Sequence, residues 1–176
     1  MRSIKITAIL FMLLLFSNLN DAFSSCPNAG ECTCALNGPN IAFGTAFNPL
    51  NNTTLQQTFA SALTVTCTLG ASGGSSQSIN YTITFAAGTY GTIAARYMQS
   101  STPNVLNFNI YKDATYATPL GTAAGATITD SYTLGSGGCA SPCTKSYSIY
   151  GKIPAQPTAK SDTNQYTDAI TATITY

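Results

Sequence analysis

Tyr166-Thr167-Asp168-Ala169-Ile170-Thr171-Ala172-Thr173-Ile174-Thr175-Tyr176 closes the chain. Its even-numbered positions hold Tyr166, Ile170, Ala172, Ile174 and Tyr176, broken only by Asp168, while Thr167, Thr171, Thr173 and Thr175 stand between them. A period of two turns alternate side chains to opposite faces, so this reads as a strand with one buried and one solvated face. Threonine is β-branched and suits the solvated side of a pleated sheet, which explains a strand rich in Thr rather than Lys.

The same alternation recurs upstream. Leu63, Val65, Cys67 and Leu69 oppose Thr64, Thr66 and Thr68; Ile79, Tyr81, Ile83 and Phe85 oppose Asn80, Thr82 and Thr84. Leu106, Phe108 and Ile110 alternate with Asn107 and Asn109. Ile128, Tyr132 and Leu134 share a parity interrupted by Asp130, and Tyr147 and Ile149 continue the pattern. Gly, Pro, Asn and Ser bound each run, as turns between strands require. The only sustained helical period lies in the first residues. An all-β chain follows, with short antiparallel strands that favour a Greek-key sandwich over a barrel.

Met1-Arg2-Ser3-Ile4-Lys5 precedes an apolar run from Ile6 to Phe16 and a polar stretch ending at Asp21-Ala22. That order of charge, apolar run and small residue is a secretory signal, placed at residues 1–22. The run falls short of the roughly 20 apolar residues that span a bilayer, so no stable membrane insertion is expected after its removal. A lipoprotein anchored at Cys26 would need a small-residue lipobox, and Phe23-Ser24-Ser25 does not supply its leucine. Residues 23–33 form a short Cys-containing N-terminal segment, and residues 34–176 one domain with no internal repeat.

Past the signal, Arg96, Lys112, Lys145, Lys152 and Lys160 balance Glu31, Asp113, Asp130, Asp162 and Asp168. No basic field attracts nucleic acid or anionic lipid. So weakly charged a surface suits a chain that packs against neighbours rather than one kept apart by self-repulsion.

Six cysteines, Cys26, Cys32, Cys34, Cys67, Cys139 and Cys143, all follow the signal, and an even number in an exported chain argues for disulfides. A tetrahedral metal site is disfavoured, because there is no His and the Cys spacings are unmatched. Connectivity is not fixed by sequence. Close neighbours suggest Cys139 with Cys143 and Cys26 with Cys32, leaving Cys34 with Cys67. Chain entropy assigns the last pair about 3.5 to 4 kcal/mol and the small Cys139 loop about 2 kcal/mol.

Catalytic constellations are poorly served. Without His, Ser-His-Asp and Cys-His arrangements lack their usual base. Lys112, Lys145, Lys152 and Lys160 lie in no Ser-Lys motif, and Asp162 and Asp168 read as turn and edge solubility rather than a glycosidase pair. The Gly-rich pieces Gly70–Gly74 and Gly135–Gly138 lack the Lys-Ser/Thr of a phosphate loop and read as turns. Asn51-Asn52-Thr53-Thr54 and Asn80-Tyr81-Thr82 match a glycosylation pattern that arises by chance in so Asn- and Thr-rich a chain. No enzyme activity and no cofactor are expected. Tyr81, Tyr132, Tyr147, Tyr166 and Tyr176 sit at core parity; Tyr90, Tyr97, Tyr111 and Tyr116 are less constrained and offer rings to a sugar.

Several ordered pieces together resemble the spore coat protein U family, found in subunits of archaic chaperone-usher pili. They are Cys34-Ala-Leu with Asn40-Ile-Ala-Phe43-Gly44, Leu63-Thr-Val-Thr-Cys67-Thr, Ala95-Arg96-Tyr97-Met98 and Leu106-Asn-Phe-Asn-Ile-Tyr111-Lys-Asp113. Tyr150-Gly-Lys-Ile-Pro-Ala-Gln156 and the C-terminal strand complete the set. The resemblance implies an immunoglobulin-like sandwich lacking its final strand, completed by a donated one. A periplasmic chaperone and usher, and then neighbouring pilus subunits, would be its partners, and a cell-surface fimbrium serving adhesion and biofilm formation, or a secreted form, its destination. Tyr166, Ile170, Ala172, Ile174 and Tyr176 would edge the groove, and Cys34–Cys67 would join the first two strands. Phe23 is the one large apolar residue ahead of Cys34, so the chain is expected to accept a strand but not to donate one, and to sit at a fibre end. The competing expectation is a self-complete β-sandwich that binds carbohydrate through exposed tyrosines.

Overall fold

A computed structural model of the chain describes residues 11–14, 31–44, 57–71, 74–101, 104–155 and 165–176. Along these run β1 (Phe11–Leu14), β2 (Cys32–Asn37), β3 (Asn40–Gly44), β4 (Gln57–Leu69) and β5 (Ser76–Phe85). There follow β6 (Arg96–Gln99), β7 (Val105–Tyr111), β8 (Ile128–Gly135), β9 (Cys143–Ile153) and β10 (Ala172–Thr175). No helix occurs among the described residues.

Two antiparallel sheets share one core. The larger has the order β2-β4-β9-β7-β6 and the smaller β10-β5-β8. At the centre of the larger sheet, β4 pairs with β9 from Gln57 opposite Ile153 to Cys67 opposite Cys143, and with β2 from Cys32 opposite Leu69 to Asn37 opposite Thr64. β7 joins β9 only where Asn109–Tyr111 meet Lys152–Tyr150.

The alternating pattern sorts as expected. Leu63, Val65, Cys67, Ile79, Tyr81, Ile83, Phe85, Leu106, Phe108 and Ile110 are buried, while Thr68, Asn80 and Asn107 are exposed on the outer faces. Thr66 and Thr144 hydroxyls meet across the outer face of β4 and β9 at 2.8 Å. The side chain of Tyr132 lies outside the described residues.

The C-terminal segment is longer in alternation than in ladder. Its regular part is β10, paired with β5 from Ala172 opposite Phe85 to Thr175 opposite Thr82. Ahead of it, Thr167 exchanges two 3.1 Å backbone bonds with Gln99 of β6, and the Ala169 and Thr171 carbonyls accept from Thr89 and Ala86. The segment therefore passes from an edge of one sheet to an edge of the other, as strands that turn a sandwich corner do.

The described part of the N-terminal apolar run departs from its helical reading. Phe11–Leu14 is extended and lies antiparallel to β3, with Leu13 opposite Ile41 and Leu14 opposite Asn40. β3 belongs to neither large sheet and has no other strand partner among the described residues. An open strand edge offers unpaired backbone groups to any extended apolar segment, and here Phe11–Leu14 takes them.

Candidate functional site

The residues expected to edge a groove are gathered on the inner side of the C-terminal segment. Tyr166, Ile170, Ala172 and Ile174 are buried, and Tyr176 is half-buried against the same core. β10 is an edge strand. In an antiparallel ladder alternate residues exchange bonds with the partner while the others direct theirs away. Thr171 bonds toward the β5 side, so the backbone groups of Ala172 and Ile174 point to the outer edge.

β3 lies outside both large sheets and, among the described residues, pairs only with Phe11–Leu14. Its Ile41 and Phe43 are buried, and Phe43 packs edge-on to Phe108 with ring centroids 6.3 Å apart. Gly151 of β9 makes the space: a methyl there would lie 2.7 Å from the Phe43 ring. Strand β3 is thus anchored by side chains to the larger sheet.

Two bridges match the pairing suggested by neighbour spacing. Cys34 and Cys67 oppose each other in the β2–β4 ladder, with Cα atoms 4.0 Å apart. Cys139 and Cys143 close the turn before β9. Cys32 is also disulfide-bonded; Cys26 lies outside the described residues.

Beneath the C-terminal segment sits a buried charge that the alternation did not announce. Arg96 is 1% exposed. Its Nε donates to the Ala87 carbonyl at 2.8 Å, Nη2 to Ala86 and Leu120 carbonyls at 2.6 and 2.8 Å, and Nη1 to Asn109 Oδ1 at 2.5 Å and the Ile93 carbonyl at 3.3 Å. Burial pushes its pKa down to about 10, against the opposing pull of Asp168. The guanidinium therefore remains charged at neutral pH. It fastens the 86–93 connection and the Leu120 turn to β7.

Asp168 corrects an expectation. Read as edge solubility, it is 4% exposed. Its Oδ1 accepts from the amides of Thr89 at 2.9 Å and Ala169 at 2.8 Å, while Oδ2 has no hydrogen-bond partner. Oδ2 lies against Gly88, where a methyl would come within 2.3 Å of it and where φ is +103°. Desolvation raises its pKa despite those amides. Asp162 and Lys160 lie outside the described residues.

Asp130 explains the interruption in its strand. Its Oδ2 accepts from Lys145 Nζ at 2.9 Å and Tyr147 hydroxyl at 2.7 Å, and Tyr147 in turn meets the Tyr81 hydroxyl. The Tyr147 bond, then Lys145, holds the carboxyl below its ordinary range. This network joins β8 and β5 to β9 through a hydrogen-bonded polar cluster. Among the described residues no group of three or more His, Cys, Asp or Glu could hold a metal ion.

Among the less constrained tyrosines, Tyr90 and Tyr97 stack on each other at 5.7 Å, each covering a face of the other. Tyr116 stands edge-on between Tyr111 and Tyr150, with Lys152 Nζ 5.1 Å from its ring centre.

An all-β chain with a disulfide joining β2 to β4, across the intervening β3 rather than between successive strands, and a C-terminal segment spanning both sheets agrees with one family profile. The Spore Coat Protein U domain matches residues 26–173. The chain belongs to that family. Spore Coat Protein U domains are chaperone-usher pilus-type subunits, structural rather than enzymatic, and exported. The match begins at Cys26, ahead of the Cys34 start read from the motifs. No curated protein matches the chain. Among the described residues no helix is long and apolar enough to cross a membrane.

Proposed function

We propose that this Spore Coat Protein U domain is a pilus subunit completed by donor-strand addition, accepting an extended apolar segment between β3 and the C-terminal segment. The observation that carries this reading is the pairing of Phe11–Leu14 with β3. An apolar segment already pairs along β3, a strand that neither large sheet takes up and whose Ile41 and Phe43 are buried. Strand addition works in this way: backbone bonds give affinity and alternate side chains fill pockets. Periplasmic chaperone, usher and neighbouring subunits are the partners, in that order of encounter, and the assembled fibre serves adhesion and biofilm formation at the cell surface.

The chain takes a terminal place in the fibre. β2 begins at Cys32 and is committed to β4 by six residue pairs and a disulfide, which leaves only residues 23–31 as an arm once the leader is removed. Phe23 is the single large apolar side chain in that arm, too few for the alternate pockets of a groove.

Co-expression with a candidate periplasmic chaperone tests this. The mature chain should co-purify with the chaperone and aggregate without it, because an open groove exposes core. Ile174→Asp should abolish the complex. A soluble, fully stable monomer without chaperone, or a complex retained by Ile174→Asp, would sink the proposal.

A further inference from the structure

We infer that the cleft between β8 and β9 is a saccharide site, selective for a sugar carrying a carboxylate. The observations behind it are independent of the assembly reading.

β7 leaves β9 after Tyr111 opposite Tyr150, and β8 is the edge of its sheet. Between β9 and β8 a cleft of about 420 Å³ opens, within the range of small-ligand sites. Its lining has the composition a pyranose requires. Thr129, Ser146 and Ser148 supply hydroxyls that both donate and accept, as sugar hydroxyls do. Tyr150 supplies an aromatic plane with a polar tip, suited to the apolar face of a pyranose ring.

That ring is held in advance. Tyr116, in a left-handed conformation at φ 56°, packs edge-on against Tyr150 with centroids 6.4 Å apart. Tyr116 is itself fixed by Tyr111 on its other side and by the Lys152 ammonium. Little rotamer freedom remains for a ligand to remove.

The electrostatics set the sign of the ligand. Lys112 reaches the rim, placed by a 2.6 Å bond from its Nζ to the Gly125 carbonyl. Asp130 on β8 is committed to Lys145, Tyr147 and the Ser131 amide, and Asp113, next to Lys112, accepts from the Thr115 amide and hydroxyl. A cation at the rim with hydroxyls below it fits a uronic acid residue better than a neutral hexose. An ammonium retains two further donors after its carbonyl bond.

The test is calorimetric titration of the mature chain, carried on its chaperone, with hexuronate trisaccharides and with neutral hexose trisaccharides of matched linkage. Uronate binding should exceed neutral binding by at least fivefold. Lys112→Gln should erase that preference, and Ser148→Tyr, which fills the cleft from an exposed strand position, should abolish binding of both. Tyr90→Ala, in the other tyrosine pair, should change neither. Thermal melting of each variant confirms an intact fold. The inference is overturned by no binding of either sugar, by binding that survives Ser148→Tyr, by an equal response to both sugars in the unmodified chain, or by loss on Tyr90→Ala instead.

Discussion

The backbone amide of Cys34 donates a 3.0 Å hydrogen bond to the phenolic oxygen of Tyr176. The last residue of the chain is thereby tied to the first strand of the larger sheet, 142 positions away, beside the bridge to Cys67. Tyr176→Phe removes the acceptor and strands a half-buried amide, which should cost about 1 kcal/mol in urea unfolding of the chaperone-free, strand-complemented chain. Paired Cys34→Ala and Cys67→Ala changes should cost about 3.5 to 4 kcal/mol, and the Cys139–Cys143 pair only about 2 kcal/mol. The reverse ranking would show that strain or residual structure, not loop closure, governs these bridges.

Arg96→Met should be among the most damaging single changes. It leaves four carbonyls and the Asn109 amide oxygen without their shared donor, at a cost of about 3 to 5 kcal/mol. Arg96→Lys should recover little, because a point ammonium cannot reach a ring of acceptors that a planar fork spans. Solubility and melting temperature in chaperone-bound form report both changes.

Asp168 and Asp130 should shift stability with pH in opposite directions. The folded-state pKa of Asp168 is raised, so its contribution favours the fold below the unfolded value near 4 and is lost as pH rises through the folded value. Asp168→Asn should therefore raise the melting temperature at pH 7 and leave it little changed at pH 3. For Asp130 the folded pKa is lowered. Its contribution is present above the unfolded value and disappears as pH falls through the folded one, so Asp130→Asn should lower the melting temperature at pH 7 only. Melting curves from pH 3 to 8 separate the two.

Gly151→Ala places a methyl against the Phe43 ring and should cost about 1 to 3 kcal/mol, the usual penalty of overpacking. Because the clash falls on β3, the same change should weaken chaperone capture more than an equally destabilising change at the far end of β4. Equal capture of both variants would mean that β3 takes no part in strand acceptance.

The parity of Leu63, Val65 and Cys67, of Ile79 to Phe85 and of Leu106 to Ile110 was readable because one face of each strand meets the core and the other meets water. The C-terminal alternation was equally plain, and the pairing of the late cysteines followed from their spacing. Arg96 was not readable as buried. Its acceptors come from Ala86, Ala87, Ile93 and Leu120, in connections whose convergence no local pattern encodes. The signal available was its place in a short stretch with Met98, opposite Phe108 in the β6–β7 ladder. Asp168 misled for a similar reason: its environment is made by the Thr89 amide and the vacancy at Gly88, both distant in sequence. Asp130 did leave a mark, as a charge at core parity two residues from Tyr132. Its partners, Lys145 and Tyr147, share the parity of Ile149 on β9.

The Cys34–Cys67 bridge also decides how the chain responds to a pull. Tension applied at the N-terminal arm reaches Cys34 and passes through the sulfurs to Cys67, so the loop between positions 34 and 67 cannot be drawn out to full length. At Cys67 that load enters the end of a ladder in which β4 pairs with β9 from Gln57 opposite Ile153 to Cys67 opposite Cys143. A subunit cross-linked in this way stays short under traction.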